Sequence, residues 1–157
     1  MEFRYPRWGG SHEMMTEFAQ ESQALVKENP YMHWLVGFVD MDEADTLGIH
    51  GEFDGSITAS TRAIQKGGDY SGFYFSRGQT YGLSGAYVQA LDDFDRANEL
   101  RPQDPEILIR RAATLAHLGR PQEVLADLKI VDVFETPDDF ANQLQAWAVK
   151  ASKSNAR

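Results

Sequence analysis

The 157-residue chain contains no cysteine, so disulfides and thiolate metal sites are excluded. It has no apolar run approaching the ~18–20 residues that span a bilayer. Its first ten residues, MEFRYPRWGG, lack the apolar stretch of a secretory signal, so a cytoplasmic location and no membrane partner are expected. Basic residues are scarce: 15 Lys and Arg stand against 24 Asp and Glu, a net charge of −9. The deficit is local, because residues 1–104 hold 8 basic and 17 acidic residues while 105–157 hold 7 of each. Nucleic-acid binding needs the opposite sign, so that class of partner is not expected.

Complete chemical motifs are lacking as well. His12-Glu13 opens like a zinc-protease helix, but Thr16 stands where the second histidine is needed. Asp40–Asp45 opens like a calcium loop, but Ala44, Asp45 and Gly51 fall at its fifth, sixth and twelfth positions. His12, His33, His50 and His117 are scattered, and no Gly-Lys-Ser/Thr follows Gly9-Gly10 or Gly67-Gly68. The sequence therefore predicts no catalytic residues, no metal and no cofactor.

What is present is a pattern centred on Ser71–Asp104. Tyr74, Gly78 and Tyr81 sit at helical spacing, Gly85 follows at a turn, and Ala90, Phe94 and Ala97 again sit at helical spacing before Pro102. Small residues allow two antiparallel helices to cross closely, while the large ones fill the space around the crossing. Proline at 102 cannot continue a helix interior. The register repeats every 34 residues. Turn glycines stand at 51, 85 and 119, and small residues at Ala44, Gly78 and Ala112. Close-approach positions fall at Ser56, Ala90, Val124 and at Ala63, Ala97, Val131. Ser60 and Leu128 replace Phe94 in the outer blocks.

This spacing of aromatic, small, aromatic, Ala, Phe and Pro resembles the tetratricopeptide repeat. The fold expected is all-α: a short right-handed solenoid of about three helix–turn–helix hairpins with a capping helix at each end. The whole chain reads as a single domain, with an N-terminal capping region at 11–36, repeats at 37–70, 71–104 and 105–138, and a C-terminal capping helix and tail at 139–157. The N-terminal PRWGGS segment also resembles bacterial proteins of unknown function that carry helical repeats downstream. Trp8 is expected to plug the open end of the solenoid.

Helices are predicted at about 11–28, 30–49, 55–66, 71–83, 87–100, 105–118, 121–133 and 138–152. In the last of these, Phe140, Leu144, Trp147 and Ala148 form one apolar face, with Trp147 as the main plug of the final core.

The resemblance implies a concave groove lined by the first helix of each repeat. Carried onto this chain, its positions are Phe38, Met41, Asp42 and Asp45, then Phe75, Ser76, Gln79 and Leu83, then Ile109, Arg110, Ala113 and His117. The best-known groove of that family holds a terminal carboxylate with Lys and Asn, and here Met41 and Asp45 stand in those places. The function implied is a non-catalytic scaffold that binds a protein or peptide, with a basic surface facing Asp42 and Asp45. The alternative is an immunity-type inhibitor that masks a toxin or effector.

Overall fold

A computed structural model of the chain describes residues 12–132 and 139–155. The expectations for Trp8 and the PRWGGS segment lie outside the described residues. Among these, all regular structure is helical: α1 (His12–Glu28), a 3-10 segment (Pro30–Gly37), α2 (Phe38–Ile49), α3 (Phe53–Gly67), α4 (Ser71–Leu83), α5 (Tyr87–Leu100), α6 (Pro105–His117), α7 (Pro121–Asp132) and α8 (Asp139–Asn155).

The helices pair α2 with α3, α4 with α5, and α6 with α7, and each pair packs on the next. The same turn joins each pair. Gly51, Gly85 and Gly119 hold φ of 79°, 82° and 69°, a left-handed geometry that disfavours any residue with a Cβ. The amide after each glycine then reaches back to the helix end: Glu52 to Leu47 (2.9 Å), Ala86 to Tyr81 (2.8 Å) and Arg120 to Leu115 (3.0 Å). These bonds satisfy carbonyls that the helix leaves open.

The expected close crossings are present. Ala44, Ala63, Ala90, Ala97 and Ala112 are fully buried, as are Ser56 and Val124. A Cβ on Gly78 would come 3.0 Å from the Phe94 ring, so the first helix of this pair can sit against the second only without a side chain there. Ser60, in the position of Phe94, is buried and donates its hydroxyl hydrogen bond to the Ser56 carbonyl at 2.8 Å.

One helix differs from expectation. Instead of a single helix over 30–49, the chain runs as a tighter 3-10 segment to Gly37, with Met32 off helical geometry (φ −95°, ψ 18°), and becomes α-helical at Phe38. Packing causes this. Gly37 and Gly67 both face Phe73, and a Cβ on either would come within 2.5 Å of its ring. Trp34, Phe38, Tyr70 and Phe73 close around that point, with ring centroids 5.1–5.6 Å apart. Phe73, fully buried, thus locks the 3-10 segment to α3 and α4.

A ladder of ion pairs follows the same register. Arg77 on α4 donates two hydrogen bonds to Asp93 on α5 (2.8 and 2.7 Å) and a third to Thr61 on α3 (3.2 Å). Thirty-four residues on, Arg111 on α6 donates to Asp127 on α7 (2.8 Å from Nε) and to Asp95 on α5 (2.9 Å). Each arginine therefore ties its own hairpin together and binds the preceding one. In the first hairpin the polarity reverses: Glu43 occupies the register position of Arg77 and accepts from Arg62 on α3 (2.6 Å), which also donates to the buried Asp40 (2.9 Å).

Two tests follow from this packing. Gly67→Ala drives a methyl into Phe73 and should cost about 1–3 kcal/mol. Gly82→Ala, whose Cβ meets nothing within 4 Å, should be neutral or stabilise by about 0.5–1 kcal/mol. Chemical denaturation of both variants checks the pair. Arg111→Met leaves Asp127, whose side chain is 3% exposed, without its charge partner. The loss should be about 3–5 kcal/mol, and Arg111→Met with Asp127→Leu should recover most of it.

Candidate partner-binding groove

The first helices of the hairpins lie side by side: α2 touches α4, α4 touches α6, and α6 touches α8. Their shared surface carries the candidate residues. The contact that fixes this register is the hydrogen bond from the Ser76 hydroxyl on α4 to the Asp45 carboxylate on α2 (2.5 Å). Gln79 and Arg110, and Ala113 and Leu144, hold the corresponding register positions one and two repeats on.

The candidates differ in how they are held. Phe38 is half-buried in the aromatic cluster with Trp34, Tyr70 and Phe73, so packing already engages it. Phe75 is half-buried with its ring 5.8 Å from that of Phe94. Ser76 is buried, and Ile109 packs against the core formed by Leu115, Val124 and Leu128. Met41, Asp42, Gln79 and Ala113 are half-buried. Asp45 and Arg110 are exposed, and no ion pair of Arg110 is found among the described residues. Leu83 is 68% exposed. His117 lies flat on Tyr87, with ring centroids 4.2 Å apart and planes 5° off parallel.

The electrostatics at the α2 end are uneven. Partial desolvation by burial pushes the Asp42 carboxyl above the usual range. Asp45 is raised by the same cause; the Ser76 hydroxyl opposes the rise and the Asp42 charge adds to it. Each carboxyl thus sits where its charged form is disfavoured. No arginine or lysine lies on α2, and Arg77 on α4 is committed to Asp93.

The surface is broad rather than pocketed. A cleft of about 60 Å³ lies between Ser71, Gly72 and Phe75 on α4 and Arg101, Asp104, Glu106 and Ile107 beside it. Small-molecule pockets run to roughly 300–1,000 Å³, so this cleft suits a side chain better than a metabolite. Among the described residues, no group of three or more His, Asp and Glu is arranged to hold a metal, and no helix is long and apolar enough to cross a membrane.

Three apolar residues of α2 and α8 are exposed beyond expectation. Ile49 is 84% exposed and stands 34 residues before Leu83. Trp147, expected to plug the final core, is instead 39% exposed, and Phe140 is 43% exposed. Ala141 and Ala148 are the residues of α8 that bury themselves, with Leu144 packed at the edge of the core. Small side chains let α8 lie close on α6 and α7, and the indole is left at the surface. The signal was legible: Trp147 is Ala113 plus one repeat.

The sign of the pH effect can be worked out for Asp45. A carboxyl whose folded pKa lies above its unfolded value binds more protons in the folded state, so this group's contribution falls as pH rises through that window. Asp45→Asn keeps an oxygen acceptor for Ser76 and removes the charge. It should raise the melting temperature at pH 7, and the gain should vanish as pH falls below the ordinary value of 3.8. Thermal melts across pH check this.

No protein-family model and no curated protein sequence matches the chain. Solved structures do. The Arabidopsis OM64 tetratricopeptide-repeat domain superposes with a TM-score of 0.68 at 19% identity, covering 73% of this chain and 94% of that one. The first such domain of human RPAP3 gives 0.70 at 20% identity, over 77% and 97%. The same comparison finds the first domain of Spaghetti (RPAP3) bound to the HSP90 peptide SRMEEVD, at 0.69 and 19% identity, over 77% and 94%. At these identities the likeness speaks to architecture, and the architecture is that of a tetratricopeptide-repeat solenoid.

Proposed function

We propose that the protein is a non-catalytic scaffold that binds a protein or peptide partner on the concave surface of α2, α4 and α6. The observation that carries this reading is the surface itself: contiguous first helices presenting Met41, Phe75 and the exposed Leu83 beside unneutralised charge. Structural neighbours bound to HSP90 and HSP70 peptides use the same architecture.

The partner differs from those peptides in charge. The peptides named for the neighbours, SRMEEVD and SGPTIEEVD, end in acidic residues. Asp42 and Asp45 repel such a tail at the α2 end and favour Lys or Arg there. Met41, Phe75 and Leu83 supply apolar contacts that hold the complex once it has formed. Gln79, Arg110 and His117 add hydrogen-bonding groups along the same face.

Affinity capture from the source cell with identification by mass spectrometry yields a partner to test. Its association rate should fall several-fold as salt rises from about 50 to 300 mM, because exposed charges are screened over ~8–10 Å. Asp42→Lys with Asp45→Lys should slow association more than it speeds dissociation. An association rate indifferent to both salt and the double reversal overturns the acidic-docking reading.

A further inference from the structure

We propose that α8 is the fourth wall of the groove, and that Trp147 forms an apolar anchor site for an extended partner segment whose basic residue meets Asp42 and Asp45. This rests on the groove reading above and adds to it the chemistry and direction of the occupant.

The burial pattern fixes how α8 is turned. Phe73, Ile107 and Ala141 stand one repeat apart and are all buried, as are Thr80, Thr114 and Ala148. The face of α8 that meets the preceding hairpin is therefore the same face as in α4 and α6. On α6, Ala112 and Leu115 are buried under the second helix of the hairpin. Their counterparts Ala146 and Val149 are exposed, since among the described residues no second helix follows α8. Trp147 belongs to neither face. The row running Asp45, Gln79, Ala113 ends at Trp147. The indole therefore opens onto the groove side.

The composition of two adjacent rows gives the occupant. They begin with Asp42 and Asp45 on α2, pass Ser76 and neutral Gln79 on α4 and the exposed Arg110 and small Ala113 on α6, and end in Leu144 and an indole that is 39% exposed. One exposed aromatic is ordinary on a protein surface. Here Trp147 joins Leu83 and Ile49, each more exposed than the last, on the same set of helices. An aromatic with an apolar face and a polar edge is also a favoured anchor for partner binding.

The geometry also predicts spacing. Neighbouring helices lie about 8–10 Å apart, so three steps from α2 to α8 span roughly 25–30 Å. An extended chain advances ~3.3 Å per residue, so the basic residue and the apolar residue should be separated by about seven to nine positions.

Display of random peptides of about 14 residues against the full chain tests this, followed by fluorescence anisotropy on one synthesised, selected peptide. Selected sequences should place Lys or Arg about seven to nine residues from Trp, Phe, Leu or Ile. Trp147→Ala should weaken binding about tenfold or more, Trp147→Phe should retain most of it, and Val149→Ala should change it by less than about twofold. Circular dichroism melts confirm that each variant is folded. Selected peptides that bind equally well to Trp147→Ala overturn the anchor and leave the groove reading standing. Failure to select any peptide overturns both. A wild-type dimer in light scattering that Trp147→Ala dissociates makes a second copy the occupant, which also overturns the proposal.

Discussion

Helices stack in this protein only where a side chain has been left out. Gly78 lets the Phe94 ring lie within van der Waals contact of the α4 backbone, and Gly37 and Gly67 together make the slot that Phe73 fills. Alanine or serine does the same at 44, 56, 63, 90, 97 and 112. Each such contact brings two backbones near enough for the remaining side chains to reach the next hairpin. The ion-pair ladder depends on that approach, because Arg77 and Arg111 each touch helices of two hairpins. Without the small residues the arginines would meet water, and a solvent-exposed pair is worth little. With them, Asp93 and Asp127 are 7% and 3% exposed, and the charges become part of the packing.

The reversed polarity of the first hairpin follows from what it packs against. Arg77 and Arg111 bridge to a preceding second helix, through Thr61 and Asp95. The helix before α2 is α1, which packs chiefly on the 3-10 segment, and Glu43 takes its partner from α3 of its own hairpin. The aromatic cluster of Trp34, Phe38, Tyr70 and Phe73 supplies the binding force that the ladder provides elsewhere. That is also why the chain tightens into a 3-10 segment before α2: regular α-helix throughout would not bring Trp34 flat on Tyr70 while Gly37 meets Phe73.

Local chemistry made most of the fold legible. Turn glycines at 51, 85 and 119 and the small residues at the crossings announce their geometry, since glycine best suits those backbone angles and only small residues suit those distances. The ladder was equally visible as Arg and Asp pairs 34 residues apart, yet charge alone does not say whether a pair is buried. The 3-10 segment was hidden because its cause, Phe73, lies far along the chain. Trp147 was misjudged for a related reason. Size suggested a plug, whereas closeness of approach, decided by Ala141 and Ala148, determines which face of α8 is buried.

The groove is the part of the molecule where local rules and stability disagree. Asp42 and Asp45 sit where desolvation disfavours the charged carboxyl, and Leu83, Ile49 and Trp147 face solvent. Apolar side chains are exposed elsewhere too, at Leu25, Val88 and Val149, so what sets these faces apart is that desolvated carboxyls and exposed apolar groups occur together. Natural sequences retain such conflicts chiefly where binding or catalysis needs them. A partner bringing a positive charge to one end and an apolar side chain to the other would relieve both conflicts at once. Binding would then stabilise the fold by mass action, by an amount that grows with partner concentration over its dissociation constant.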